Sequence, residues 1–235
     1  MKDKICLVTG ASRGIGRAVV ERLLVNGAVV CATAKSLSGL KQLKNDFLGY
    51  KGKLHLFQAD LSCHSDVINL CESVKTDIGD VDILVNNAGV LHLESLGSST
   101  EELLRVSFEV NVFAPFALAR YFSQSMIKKN KGAIINVCSS SSYTGGGAPE
   151  HCIYASTKHA LLGFSRALDE ELRSYNIRIG TVSPAGVATE MMTDRLDLDH
   201  STFMSSDEVA DAIMYMLESD GQGIVYEMRI WRKNR

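Results

Sequence analysis

The chain has 235 residues, 46% hydrophobic and 22% charged, with a net charge of −2, the profile of an ordinary globular protein long enough to close a large core. That balance offers no basic footprint for nucleic acid and no polybasic patch for a membrane surface, so the expected partner is a small soluble molecule. Three prolines (Pro115, Pro149, Pro184) and the absence of a linker, charge run or internal repeat point to a single domain over residues 1–235.

The opening MKDKICLVTG enters an apolar strand pattern at once, with no charged n-region and apolar h-region of an export signal. No apolar run approaches the ~18 residues of a membrane span. Cys6, Cys31, Cys63, Cys71, Cys138 and Cys152 lack CxxC or metal-ligand spacing, and no Asn-X-Ser/Thr acceptor occurs. Reduced thiols in a cytoplasmic protein without a metal site are expected.

In chain order, seven short Val/Ile-rich runs bounded by Gly, Asn, Asp or Ser read as strands: residues 5–9, 28–34, 54–58, 81–86, 133–139, 177–183 and 223–230. Between them, apolar residues recur at helical spacing over 15–26, 37–47, 65–78, 106–129, 153–175 and 207–218, with Gly27 placed to stop the first helix. Strand followed by helix, repeated throughout, predicts a Rossmann-like, doubly wound α/β fold: a parallel sheet of about seven strands with helices on both faces. Ligands of such sheets bind beyond the carboxyl ends of the strands.

At the first such end stands Thr9-Gly10-Ala11-Ser12-Arg13-Gly14-Ile15-Gly16, a glycine-rich turn opening a helix and suited to a dinucleotide pyrophosphate. The second strand ends in Ala34-Lys35-Ser36, where NAD-preferring folds place an acidic residue. Lys35, Ser36 and Arg13 instead offer two cations and a hydroxyl to a 2′-phosphate, which predicts NADP (NADPH) over NAD. Asp60-Leu61 after the third strand would meet the adenine amino group, and Asn86-Asn87-Ala88-Gly89 ends the fourth strand with amide side chains and small residues for the same adenosine half.

Tyr154 and Lys158 lie one helical turn apart on one face. A phenol loses its proton near pH ~10, but a neighbouring ammonium favours the phenolate and makes it an acid/base usable near neutrality.

Through TGASRGIG, Asp60, NNAG, Asn111, the serines after IINVC, YASTK and the SPAG turn, in this order over nearly the whole chain, the sequence resembles the main single-domain branch of the short-chain dehydrogenase/reductase family, as an NADP-preferring, carbonyl reductase-like member. The resemblance implies that Tyr154 exchanges a proton with the substrate oxygen. It further implies that Lys158 favours the phenolate and holds the nicotinamide ribose, that a serine steadies the substrate oxygen, and that Asn111 positions a water between Lys158 and solvent. Pro184, Val187 and Thr189 would close over the carboxamide. Counting from the preceding strand selects Ser139 as the serine, whereas the family spacing back from Tyr154 selects Ser141; Ser139 is taken because a strand end fixes position better than a loop containing Gly145 to Gly147. Ala185 stands where the family commonly has Gly.

The stretch after Thr189 that covers substrate in this family is short and polar (Asp194, Arg195, Asp197, Asp199, His200), which predicts an open pocket and loose substrate selection. The final strand ends Met228-Arg229-Ile230-Trp231-Arg232 rather than Asp-Gly-Gly, weakening a 3-oxoacyl thioester reductase reading. His151, Cys152 and Cys138 are read as pocket lining, since no third group orients a nucleophile and base. The expected function is NADPH-dependent reduction of a ketone, aldehyde, diketone or quinone to an alcohol by a homodimer or homotetramer. The alternatives are a 3-oxoacyl thioester reductase and a catalytically weak NADP-binding regulator.

Overall fold

The computed structural model describes residues 1–144, 149–192, 200–219 and 223–233. The strands are β1 (Ile5–Thr9), β2 (Val29–Ala34), β3 (Lys53–Gln58), β4 (Ile83–Asn86), β5 (Gly132–Val137), β6 (Ile177–Pro184) and β7 (Glu227–Ile230). They form one sheet in the order β3-β2-β1-β4-β5-β6-β7, parallel at every pairing. The helices are α1 (Gly14–Val25), α2 (Leu37–Asp46), α3 (His64–Asp77), α4 (Glu101–Phe108), α5 (Ala114–Lys129), α6 (Cys152–Leu172) and α7 (Ser206–Glu218).

Alternation along each strand divides the core in two, because successive side chains point to opposite faces. Cys6, Val8, Val30, Val85 and Ile135 face one layer with Val19 and Leu23 of α1, Leu40 of α2 and Ile213 of α7. Leu7, Cys31, Leu84 and Ile134 face the other with Leu70 of α3, Leu118 and Phe122 of α5, and Leu172 of α6. β1 winds outward through β2 to β3, and the chain then crosses to β4 on the other side of β1. This reversal opens a crevice at the carboxyl ends of β1 and β4.

Several boundaries differ from the sequence reading. The fourth helical segment begins at Glu101, five residues before its expected start, because Thr100 caps it by accepting from Leu103 N at 3.2 Å and acidic residues occupy its first turn. It is then interrupted by a π-helical turn over Glu109–Phe113. Pro115 accounts for the break: it has no N–H to give to the carbonyl four residues back, that of Asn111. α6 stops at Leu172, followed by a 3-10 turn to Tyr175, and Asn176 ends it in the left-handed region at φ 53°. β5 ends at Val137 and β7 covers only the last four residues of its expected span. At the far edge, α7 starts on a Ser205–Glu208 capping box, and its last carbonyls receive the Arg178 guanidinium from β6.

Candidate active site

A cavity of about 1140 Å³ occupies the carboxyl ends of the strands, bordered by every candidate cofactor-binding and catalytic residue except Gly16, Asn86 and Asn111, which lie buried just behind its wall. Of the three residues read as pocket lining, His151 and Cys138 border it, whereas Cys152 does not and is exposed at the start of α6. The volume is more than one drug-sized ligand needs.

The glycine turn after β1 is shaped by close backbone approach. Gly10 (φ +63°) and Gly14 (φ +53°) lie in the left-handed region, and a Cβ on Gly10 would stand 2.9 Å from the Ala88 Cα. A Cβ on Gly16 would collide with the Gly10 carbonyl and the Asn87 amide. The first turn of α1 carries no side-chain cap, leaving its N–H groups facing the cavity rim. Asn87 has a structural role that its sequence position did not disclose: its Nδ2 donates to the Thr9 carbonyl at 2.8 Å, and the Asn87 and Ala88 amides donate to Thr9 Oγ1 at 3.0 and 2.9 Å. The end of β4 is thereby stapled to the end of β1.

In the corner after β2, Ser36 caps α2, accepting from Gly39 N at 3.1 Å. Lys35 Nζ lies 2.7 Å from Asp60 Oδ2, while Asp60 Oδ1 accepts from the Ser62 amide and hydroxyl at 3.0 and 2.7 Å. Arg13 Nε lies 3.9 Å from Glu190 Oε2, with both side chains more than half exposed. Both cations assigned to a 2′-phosphate thus already face carboxylates. Surface pairs of this kind contribute little, so an incoming phosphate can take either cation at small cost.

Around the helical pair, Lys158 is 4% exposed and donates to the Val137 carbonyl at 2.9 Å, with Nζ 5.7 Å from the centre of the Tyr154 ring. A buried ammonium is tolerable only with such partners. Asn111, fully buried in the π turn, accepts from Val90 N at 2.8 Å and donates to the Val90 carbonyl and Thr157 Oγ1 at 2.9 and 3.0 Å. A Cβ on Gly89 would sit 3.3 Å from Asn111 Oδ1 and 3.6 Å from Lys158 Nζ, so β4, the π turn and α6 converge on one point.

Ser139 and Ser141 are both nearly buried, 8% and 6% exposed, and both border the cavity. Ser139 caps a 3-10 turn over Ser140–Ser142: its Oγ accepts from Ser141 N at 3.1 Å, and its own amide donates to Ser142 Oγ at 3.3 Å. With a lone pair engaged, the Ser139 hydroxyl keeps its proton to donate.

After β6, Ala185 N donates to Ile230 O, and Ala185 avoids the left-handed region, so the missing glycine costs no strain. Val187 pairs with Met204, Ala188 N donates to Met204 O at 2.8 Å, and Thr189 folds against Gly14. Of the stretch read as a short lid, Asp194, Arg195, Asp197 and Asp199 lie outside the described residues, as does the His200 side chain; Gly145 to Gly147 also lie outside them. The far wall, formed by Val90, Leu91, Val110, Met191, Phe203 and Trp231, was not legible as a site in the sequence. Burial pushes the Cys138 thiol up to about 11, which suits the lining role. Among the described residues, no group of His, Cys, Asp and Glu has metal-binding geometry, and no helix is long and apolar enough to cross a membrane.

The short chain dehydrogenase family model matches residues 4–198. The chain belongs to this family. It is an oxidoreductase acting on alcohol and carbonyl groups. Among curated relatives, the chain is 32% identical over 235 residues to the 3-oxoacyl-(acyl-carrier-protein) reductase FabG of Escherichia coli, covering 96% of this chain and 94% of that protein. Among solved structures, a short-chain dehydrogenase from Sphingobium yanoikuyae in complex with NADPH superposes with a TM-score of 0.85 at 26% identity, covering 97% of this chain and 87% of that one. An alcohol dehydrogenase from the archaeon Thermococcus sibiricus, complexed with 5-hydroxy-NADP, shares the fold with a TM-score of 0.89 at 24% identity over 100% of this chain and 98% of that one.

Proposed function

We propose that the protein reduces a carbonyl compound (ketone, aldehyde, diketone or quinone) to the alcohol with NADPH. The observation that carries this reading is the convergence of Tyr154, buried Lys158 and the Ser139 hydroxyl on one cavity whose opposite end is the glycine turn. The glycines at 10, 14 and 16, where added side chains would be strained or would collide with the backbone, fit a dinucleotide, and NADPH is the cofactor of the solved Sphingobium relative. When bound, NADPH supplies the hydride to the carbonyl carbon.

The protein's own groups then do the following. Gly10, Ser12, Arg13, Gly14, Ile15 and Gly16 bind the pyrophosphate with backbone amides and helix polarity. Lys35, Ser36 and Arg13 take the 2′-phosphate beside Ala34. Asp60, Leu61, Asn87, Ala88 and Gly89 bound the adenosine, and Pro184, Val187 and Thr189 bound the nicotinamide. The Ser139 hydroxyl donates to the substrate oxygen, and Tyr154 gives that oxygen its proton as charge develops on it. Lys158 stabilises the phenolate that remains. Asn111 positions the water that returns the proton through Lys158.

The 32% identity to FabG favours, as a second reading, a 3-oxoacyl thioester as substrate. Steady-state rates on matched panels decide: higher kcat/KM on free ketones and diketones supports the first reading, and higher kcat/KM on an acyl thioester the second. NADPH binding without turnover of either class would point to a regulator. We place the protein in the cytoplasm, where its six cysteines, all free in the structure, stay reduced. We also propose a homodimer or homotetramer built on α5 and α6, since Phe113 and Phe116 are half exposed beside them. Size-exclusion chromatography with light scattering checks that assembly.

A further inference from the structure

The serine turn leaves the sheet early. Its last main-chain tie to a strand among the described residues is Cys138 N to the Val182 carbonyl. Tyr143 ties it to the far end of the sheet. The phenol donates to Glu227 Oε2 of β7 at 3.0 Å, and that carboxylate is clamped by Arg166 of α6, Nε to Oε1 at 2.5 Å and an NH2 group to Oε2 at 3.0 Å. The Arg229 guanidinium lies 3.3 Å from the centre of the Tyr143 ring, and the Tyr143 ring also packs on the cluster of Cys138, Leu161 and Leu162. Within the turn, Tyr143 N donates to the Ser140 carbonyl at 3.2 Å, directly beside the reciprocal bonds between Ser139 and Ser142.

We propose that Tyr143 is a positioning residue: bonded to the Arg166-clamped Glu227 carboxylate, it fixes the serine turn so that the Ser139 hydroxyl stands where the substrate oxygen arrives. Tyr143 touches neither substrate nor cofactor in this role, and acts through Ser139. In this arrangement a single phenolic hydroxyl bears on turnover. A donor stabilises a developing oxyanion only when it is already aimed, and displacements near 1 Å are costly. It also gives the final strand a task in the reaction: β7 reaches the serine turn through one carboxylate.

The inference rests on the role assigned to Ser139, and two separate measurements test it. In the first, kcat and KM for a carbonyl substrate and the Kd for NADPH are measured for the wild type, Tyr143→Phe, Ser139→Ala and the double variant. The expected result is a fall in kcat of about tenfold for Tyr143→Phe with NADPH Kd unchanged within about twofold, and almost no further fall when Tyr143→Phe is added to Ser139→Ala. Equal losses in both backgrounds would mean that Tyr143 acts on the fold generally, and would overturn the proposal. So would full activity of Tyr143→Phe, or of Ser139→Ala. In the second, hydrogen exchange of the cofactor-free protein is followed by mass spectrometry. Tyr143→Phe is expected to speed exchange in the segment 139–143 while β5 and α6 stay protected, and unchanged exchange there would overturn the anchor. This second readout stands even if the wild type turns over no carbonyl, so failure of the reductase reading is distinguishable from failure of the anchor. Glu227→Ala, which removes the same bond from the other side, is expected to reproduce both results and guards against a variant that merely misfolds.

Discussion

Lys35 Nζ and Asp60 Oδ2 lie 2.7 Å apart, so the cation facing the expected 2′-phosphate and the carboxylate facing the expected adenine are bonded to each other across the corner between β2 and β3. The pair ties cofactor choice to a contact that the phosphate must share or displace. Lys35→Ala should weaken NADPH binding by about tenfold and leave NADH binding nearly unchanged, as loss of a single phosphate contact would. Titration of both cofactors by fluorescence checks this; equal weakening of the two would remove Lys35 from the phosphate site.

Gly16 tests the cradle itself. A Cβ there meets the Gly10 carbonyl and the Asn87 amide, both fixed by the staple between β1 and β4. Gly16→Ala should abolish measurable NADPH binding and lower the melting temperature, because the nearest colliding atom, the Gly10 carbonyl oxygen, is backbone and has no rotamer to retreat into. Normal binding by a folded Gly16→Ala protein would contradict the geometry.

The order of strands and helices was legible in the sequence because burial on both faces makes parallel strands nearly uniformly apolar, while helices keep a 3.6-residue period. The start of α4 was also legible in principle, in Thr100 followed by Glu101 and Glu102. The π turn was not, since the periodicity of residues 106–129 runs through it and only Pro115 marks the break. At the site, the motif residues stand where the sequence reading expected the cavity. Their partners were hidden because they come from distant segments: Asp60 on Lys35, Glu190 on Arg13, Thr9 on Asn87, Glu227 on Tyr143. The C-terminal pattern that weakened the thioester reading now stands beside a 32% identity to FabG that favours it, and only substrate kinetics weighs the two.

Asn111 joins stability to function. Its side chain satisfies both main-chain groups of Val90 and also bonds Thr157, so Asn111→Ala strips the partly buried Val90 amide and carbonyl of these partners, while Thr157 Oγ1 keeps its bond to the Tyr154 carbonyl. A loss of about 2–4 kcal/mol, roughly 5–10 °C in Tm, is expected by calorimetry, together with lower kcat. A Tm within about 1 °C of the wild type would show that the network is not carried by this residue.

Glu227 gives a pH signature. The hydrogen bonds from Arg166, with that from Tyr143, hold its carboxyl below the usual carboxylate range despite partial burial. A depressed folded-state pKa means that the unfolded chain binds the proton more readily, so the contribution to stability is present above the unfolded value of about 4.3 and is lost as pH falls through the folded one. The stability gap between wild type and Glu227→Gln should therefore be constant near neutrality and close on acidification below about pH 4. A gap that stays constant through this acid range would contradict the ionised pair.

The central claim is that Tyr154 protonates a carbonyl oxygen while NADPH reduces the carbon. The direct measurement is initial-rate oxidation of NADPH and NADH over a carbonyl panel that includes a vicinal diketone, with wild type beside Tyr154→Phe. A strong NADPH preference, with kcat reduced by about 10²–10⁴ in the variant and NADPH binding retained, is the predicted result. Turnover favouring NADH, or a Tyr154→Phe protein as active as the wild type, would contradict it.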